Sequence, residues 1–509
     1  MKRLSLIAGL FAAFFMVSCE KSFLDLVPED QQSAGSFFET EEQFMQALAS
    51  AYVPLRDFLD NDFYTGEMRS DNTHYEYNPI NRGTAYVYRE SIADFNNDAY
   101  NNYSNAVYFH LYKCISRANI VIDRIGSADF SAEAKQAIEG EAKFLRAFSY
   151  FKLLRYFGSV PLYLNEVQSP DDAFIGRSSV EQVYSQIIAD ATEAIELLNA
   201  PETFPQSGHA TKGAATMLLA EVRVERSEYA QAESLLKSLN TMGYQLLPSY
   251  ADVFSTSFKN STESIFEVQY QMGAQAGQQS DLIYRFLPRC GNTSLITGVS
   301  SDNTGIGGWN TPTQDLINSY EPGDLRKDIS IGVAEGNYDG SQIFTVEAVK
   351  SIENYTPEPG MVGVPYIKKY VNPHSLPLNA DDNWPIYRYA DALLLLAEAL
   401  NEQGKSGEAV TYVNQVRERA FSGGNPVAAS GQQQVRDIIL HERRVELAFE
   451  NHRWHDLVRS GTAVQVMSAY AVELKNQHDY LNANTYQIDE SKLLFPLPQS
   501  EIDLNPDLK

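Results

Sequence analysis

What this chain lacks narrows it before any motif is read. With only 3 cysteines in 509 residues, Cys19, Cys114 and Cys290, it carries no disulfide framework, and their spacing has none of the pairs a structural zinc site uses. Positive charge is scarce: 66 acidic against 40 basic side chains leave a net charge of -26. No Lys/Arg block offsets that sign, which excludes nucleic acid as a partner. Long apolar runs are missing as well. The N-terminal stretch Leu4 to Val17 falls short of the ~20 residues of a spanning helix, and no later segment reaches that length. There is no G-x-S-x-G elbow, no G-x-x-x-x-G-K-[ST] loop and no G-x-G-x-x-G after a strand, which removes the commonest signed hydrolase, nucleotide and dinucleotide classes. At 44% hydrophobic content the chain is nonetheless globular and long enough to bury a large core.

The N-terminus reads as an address. Lys2 and Arg3 precede the apolar stretch, and Val17-Ser18-Cys19 follows it, the pattern of a bacterial lipoprotein signal whose cysteine is acylated. Met16 stands where such signals usually carry Leu. Residues 1–18 are thus expected to be removed, leaving a body of 19–509 with a lipid on Cys19. Several acyl chains, at about 0.8 kcal/mol per buried methylene, hold a protein on a bilayer without a transmembrane helix.

The body reads as mainly α. Val183, Ile187, Ala191, Ile195 and Leu198 recur every three or four residues, as do Ile138, Ala142, Leu145, Phe148 and Phe151. LLAE at 218–221 with Ala232, and LLAE at 395–398 with Ala409, repeat the same spacing of alanines, which predicts two helix-turn-helix units of tetratricopeptide-like type. Scaffold helices are expected at about 36–59, 103–272 and 384–470. Between Asp60 and His110 there is no leucine, while tyrosines alternate with asparagines; from about 273 to 383 Gly, Pro, Asn and Tyr prevail. These stretches, about 60–102 and 273–383, read as loop-rich insertions with a few short strands, and loops on a rigid scaffold are where binding residues concentrate.

The chemistry offered is that of recognition. His452 and His455 are spaced for one metal, with Asp456 or Glu450 as a third ligand, but Arg453 and Trp454 stand where a zincin needs glutamate, so no metal is assigned. Asp381 and Asp382 could serve a glycosidase, yet adjacent carboxylates are common in so acidic a chain. The run Asn379 to Asn383 offers oxygens to calcium without the twelve-residue loop pattern; a solvated loop is the alternative. A sugar presents an apolar C–H face and a hydroxyl rim, which suits an aromatic ring beside an amide or charged group. Trp309-Asn310, flanked by glycines that would leave the indole exposed, is the first candidate, with a core tryptophan as the alternative. Tyr284-Arg285 and Tyr75, Tyr77 and Asn78 are further candidates.

Several segments together resemble one family. CEKSFLDLVPED at 19–30, Tyr112 with Arg117-Ala118-Asn119, EGEAKFLRAFSYFKLLRYFGSVPL at 139–162, ERRVELAFENHRWHDLVRSG at 442–461 and LLFPLPQSEIDLNP at 493–506 are similar to the marks of SusD-like (RagB/SusD) outer-membrane nutrient-binding lipoproteins. The arginines and acids of 442–461 interleave at helical spacings suited to ion pairs that fix helix packing. The resemblance implies a tetratricopeptide-like scaffold with an irregular binding region, no catalysis and no cofactor. It further implies capture of a glycan, or in some members a peptide, at the cell surface, and a SusC-like TonB-dependent transporter as partner. Competing readings are a surface glycosidase and a scaffold that binds nothing small.

Overall fold

A computed structural model describes residues 37–509; the leader, Cys19 and the segment 19–30 lie outside the described residues. Twelve helices organise the described chain: α1 (Glu41–Thr65), α2 (Thr84–Ala93), α3 (Asn102–Ile125), α4 (Ala132–Phe157), α5 (Val180–Leu197), α6 (Lys212–Glu225), α7 (Tyr229–Leu239), α8 (Tyr389–Glu402), α9 (Ser406–Ala420), α10 (Gln432–Glu446), α11 (Arg453–Arg459) and α12 (Ala463–Gln477). Shorter turns of helix and seven short strands fill the rest, so the mainly α architecture is as expected. Among the described residues no helix is long and apolar enough to cross a membrane.

Helix α1 begins on a capping box, Thr40 and Gln43 exchanging side-chain and backbone bonds. It runs through Pro54, which has no N–H to give the Ser50 carbonyl. Arg117 of α3 donates to that carbonyl instead, at 2.5 Å. The predicted stripes face inward: Ile138, Ala142, Leu145, Phe148 and Phe151 of α4, and Val183, Ile187 and Ala191 of α5, are buried. Helix α4 goes beyond a one-sided stripe, since every residue from Gly140 to Phe157 is buried beneath α1, α3, α5 and α6. Its charges are paired inside: Arg146 binds Asp190 of α5 at 2.7 Å and Asn119 of α3 at 2.9 Å, and Arg155 binds Glu221 of α6 at 2.7 Å. Gly140 permits the close approach, because a Cβ there would lie 2.8 Å from Leu198. The two LLAE helices are α6 and α8. Each folds back on its partner, α7 or α9, and α8 also lies against α7, so the hairpins stack as tetratricopeptide-like units do. Ala220, Ala232, Ala397 and Ala409 are fully buried at those contacts.

The insertions are less loop-like than expected. Helix α1 continues to Thr65, α2 lies within the leucine-free stretch, and every residue from Asp62 to Tyr75 is buried. The reason is that aromatic rings and satisfied polar groups replace leucine. The Arg69 guanidinium sits 4.2 Å from the Phe95 ring and 4.4 Å from the Phe495 ring, and it donates to the carbonyls of Ile92 and Lys492. Burial lowers its pKa to about 9. The second insertion carries an antiparallel sheet with β4 (Ile331–Tyr338) between β5 (Phe344–Ser351) and β6 (Val362–Ile367). Two further pairs join distant parts of the chain: β1 (Thr73–His74) with β3 (Thr311–Pro312), and β2 (Ser264–Val268) with β7 (Trp384–Arg388).

The charges of 442–461 do form ion pairs, though few of them stay within the helix pair. Arg443 and Arg459 join Asp456 at 2.9 and 2.8 Å. The others reach outward. Glu446 accepts from Arg326, Arg388 and Arg419 at 2.9, 3.0 and 2.6 Å; Glu442 binds Arg326 and Arg417; Glu450 binds Lys369 and Arg388; Arg444 and Arg453 both reach Asp71. One buried charge lattice thereby ties α10 to α9, to β7 and to both insertions. Such pairs offset their desolvation only with complete partners, so each member is costly to remove.

Candidate functional site

The strand pair β1–β3 carries the first insertion onto the second and opens a cleft of about 370 Å³ beside it. One wall runs from His74, the last residue of β1, to Tyr77, a second comes from Thr311 to Asp315 and Tyr338, and a third from Tyr470 of α12 with His478 and Tyr480 beyond it. Thr73↔Pro312 and His74↔Thr311 set the register. Asn310, at φ 55, locks it by accepting from the Thr73 hydroxyl at 2.6 Å, while the Thr313 hydroxyl donates to the Asp71 carbonyl at 2.8 Å.

The walls are aromatic. Tyr77 and Tyr480 stack in parallel, centroids 4.0 Å apart at 2°, and Arg82 covers the other face of Tyr77 at 4.7 Å. His74 lies behind them. Its Nε2 is 3.0 Å from the Tyr480 hydroxyl and its Nδ1 3.1 Å from that of Tyr486. Burial, with His478 adding to it, pushes the His74 pKa down to about 3, so this ring is neutral at physiological pH. The buried Tyr75 hydroxyl donates to Asp94 at 3.1 Å, and burial pushes the Asp94 carboxyl up to about 8 against that bond. Tyr338 donates to Glu76 at 3.0 Å, whose other oxygen accepts from the Arg289 N–H at 3.0 Å; burial raises this carboxyl too. The buried Tyr470 hydroxyl has no hydrogen-bond partner among the described residues. Gln314, Glu473 and Gln477 stand exposed on the rim. Rings inside and amides and carboxylates outside suit a ligand with apolar faces and a hydroxyl edge.

A second groove, about 250 Å³, is lined by Tyr108, Phe109, Phe174 and Leu504 among others; it is more apolar and offers fewer polar groups to a hydroxylated ligand.

Of the residues singled out in the sequence, only Tyr75 and Tyr77 line the cleft. Asn78 is buried and its Oδ1 accepts the N–H groups of Ile80 and Asn81, closing the turn after Tyr77. Trp309 is not an exposed platform: it is 2% exposed, with Tyr64 and Tyr86 against it and the Arg89 guanidinium 4.9 Å from its ring. The glycines act in the opposite sense to that expected. A Cβ on Gly307 would lie 2.7 Å from the Leu287 carbonyl, so glycine permits tight packing rather than display of the indole. Asn310 is fully buried behind the strand pair, Tyr284 is buried with its hydroxyl on His374, and Arg285 is paired with Asp281 at 2.9 Å.

The other chemical candidates are held by partners. Asp456 and Glu450 belong to the charge lattice, and the buried His455 ring rests 5.0 Å from Tyr156. Among the described residues no group of three His, Cys, Asp or Glu side chains is arranged to hold a metal. In the 379–383 run, Asn379 accepts from Gly273, Asp381 from Met272 and Asn383 from Tyr270, while Asp382 accepts from Asn372. These oxygens tie the run to residues 270–273 and to Asn372. The sequence reading missed His74, Tyr338, Tyr470, His478 and Tyr480. The rule of rings beside amides, applied to Gln477-His478-Asp479-Tyr480-Leu481-Asn482, finds the last two.

Comparison with known proteins agrees with this architecture. The description "SusD family" matches residues 262–509, and "Starch-binding associating with outer membrane" matches residues 22–224. SusD-like protein P38 of Formosa agariphila is 30% identical over 487 residues, covering 88% of this chain and 90% of its own. A SusD superfamily protein of Bacteroides vulgatus superposes with a TM-score of 0.72 at 24% identity, over 93% of this chain and 99% of its own. Surface glycan-binding protein A of Bacteroides thetaiotaomicron, in complex with laminarihexaose, superposes with a TM-score of 0.71 at 21% identity, over 91% of this chain and 97% of its own. With the matched segments, the relative and the shared fold in agreement, the chain belongs to the SusD-like family.

Proposed function

We propose that the aromatic cleft between β1, β3 and the end of α12 captures an oligosaccharide at the cell surface, without catalysis or cofactor, and that the protein delivers it to a SusC-like TonB-dependent transporter. The observation that carries this reading is the cleft itself: tyrosine and histidine walls with an amide and carboxylate rim, assembled from three parts of the chain. Capture rather than hydrolysis is supported by the state of its carboxylates. Glu76 is committed to Tyr338 and Arg289, and Asp315 to Arg444 at 2.5 Å, which leaves Glu473 on the rim without the second free carboxylate that glycoside hydrolysis uses. A solved relative bound to laminarihexaose supports a glycan as the ligand class. Acylation at Cys19 would keep the body on the outer membrane beside its transporter.

The test is calorimetric titration of a soluble form lacking Cys19 against neutral oligosaccharides and peptides, with Tyr480→Ala in parallel. Saturable glycan binding without product formation, weakened about fivefold in the variant, is expected, since one lost ring contact of this kind is worth on the order of 1 kcal/mol. Binding of peptides alone would replace the glycan, and turnover would replace capture. Cys19→Ala should move the protein out of the membrane fraction.

A further inference from the structure

On the far side of β2 a second, polar cleft opens. Two depressions of about 210 and 650 Å³ share Arg56, Ser207 and Gln269 and so form one continuous channel. Tyr52 and Leu55 of α1 make an apolar wall; Gln271 and Gln278 line the open end. The channel is kept open by Gly208, whose φ is +89 and whose added Cβ would lie 2.6 Å from the Gln269 amide carbon. Gln269 itself is saturated by Asn260 and Asn383, the Glu267 carboxylate accepts from the same two residues, and Lys259 faces Asp381 at 3.3 Å, so these groups form the floor.

Arg56 differs. The arginines elsewhere in the described chain are spent on carboxylates, backbone carbonyls or ring faces; Arg419, for instance, is held by Glu263 and Glu446, Arg69 by carbonyls and rings, and Arg89 by the faces of Tyr103 and Trp309. Arg56 alone has no hydrogen-bond, ion-pair or ring partner among the described residues, although the chain has 26 more acids than bases to offer it. Beneath it Tyr270, 5% exposed, contributes to the lining of the same channel, and its buried hydroxyl has no hydrogen-bond partner among the described residues. A guanidinium is a planar fork of donors matched to an anionic oxygen pair.

We infer that this channel is a second binding site, which takes the anionic substituent of an acidic saccharide, a carboxylate or a sulfate ester, on Arg56. The ring bearing that substituent lies along Tyr52 and Leu55, and its hydroxyls meet Gln271 and Gln278. The site is separate from the Tyr77–Tyr480 cleft, with which it shares no lining residue. It rests on the reading of the protein as a glycan binder and adds the class of glycan.

The deciding experiment titrates the soluble form with oligogalacturonate, with a sulfated galactan oligosaccharide and with a neutral oligosaccharide of equal length. Wild type, Arg56→Gln and Tyr480→Ala are run side by side. Arg56→Gln is expected to weaken at least one acidic ligand about tenfold or more, to flatten the salt dependence of its binding and to leave the neutral ligand within about twofold. The carboxylate and sulfate arms tell the two substituents apart. Equal binding of the acidic ligands by wild type and Arg56→Gln, or no binding of either, overturns the inference. Binding of the neutral ligand that only Tyr480→Ala abolishes would still uphold glycan capture. On the wild-type protein, the acidic ligand should shield Arg56 from phenylglyoxal, read by mass spectrometry; unshielded modification at saturating ligand also overturns the site.

Discussion

Replacing Glu446 by Gln probes the charge lattice at its most crowded point. The carboxylate is fully buried and meets Arg326, Arg388 and Arg419 within 3.0 Å. Burial opposes its charge, but the three guanidinium groups override that and hold it at about 2, against an ordinary value of 4.5. At about 1.36 kcal/mol per unit, the depression is worth roughly 3 kcal/mol, and breaking a buried ion pair by removing one partner costs about 3–5 kcal/mol. With an unfolding entropy near 2.1 cal/mol/K per residue, a chain of this length loses about 3–5 °C in Tm. Because the folded value lies below the unfolded one, this stabilisation is present in full above about pH 4.5 and is lost as pH falls through about 2. Calorimetry at pH 7 should therefore show Glu446→Gln melting several degrees below wild type, with the gap closing on acidification toward pH 2. A gap below about 1 °C at pH 7, or one that widens in acid, would refute the reasoning.

Trp309→Ala should act on stability rather than on the ligand: deleting a buried indole costs about 3–5 kcal/mol, so Tm falls while the folded fraction keeps near wild-type glycan affinity by calorimetry. Asp94→Asn should stabilise the protein in alkali. The folded carboxyl titrates near 8, above its unfolded value, so its protonated form helps the fold at low pH and that help fades as pH rises from about 4 to about 8. The variant should thus match wild type near pH 4 and melt a few degrees higher at pH 9 in a thermal scan. His74 stays neutral above about pH 3, so His74→Asn should leave the shape of the affinity profile between pH 5 and 8 unchanged; a step that the variant removes would contradict its burial.

The helical frame was legible in the sequence because its signals are local. Stripes such as Val183, Ile187 and Ala191, and the paired LLAE segments with Ala232 and Ala409, need only a periodicity to be read, and all of these side chains but Glu398 are buried. The family marks were legible as strings, while their reasons were not. Arg117 serves a carbonyl freed by Pro54, and Arg146 joins Asn119 to Asp190, pairings that cross the fold and leave no spacing to find. The site failed for the same reason. Whether a tyrosine or tryptophan faces solvent depends on what packs over it. Trp309 is roofed by Arg89, Tyr64 and Tyr86, and Tyr77 meets a ring from the other end of the chain. The absence of leucine from 60–110 reads as loop, whereas rings and a caged arginine do leucine's work there.

The stacked pair of Tyr77 and Tyr480 has a consequence for biogenesis. His74 and Tyr480, which bond across the same cleft, are 406 positions apart, and closing so long a loop costs on the order of 5 kcal/mol of chain entropy, recovered only when the intervening helices are in place. A chain made amino end first carries one wall of the cleft from the start, while the wall from α12 and Tyr480 comes near its end. The proposed capture site is therefore completed last, by the same C-terminal segment whose Phe495 and Lys492 carbonyl close the cage around Arg69.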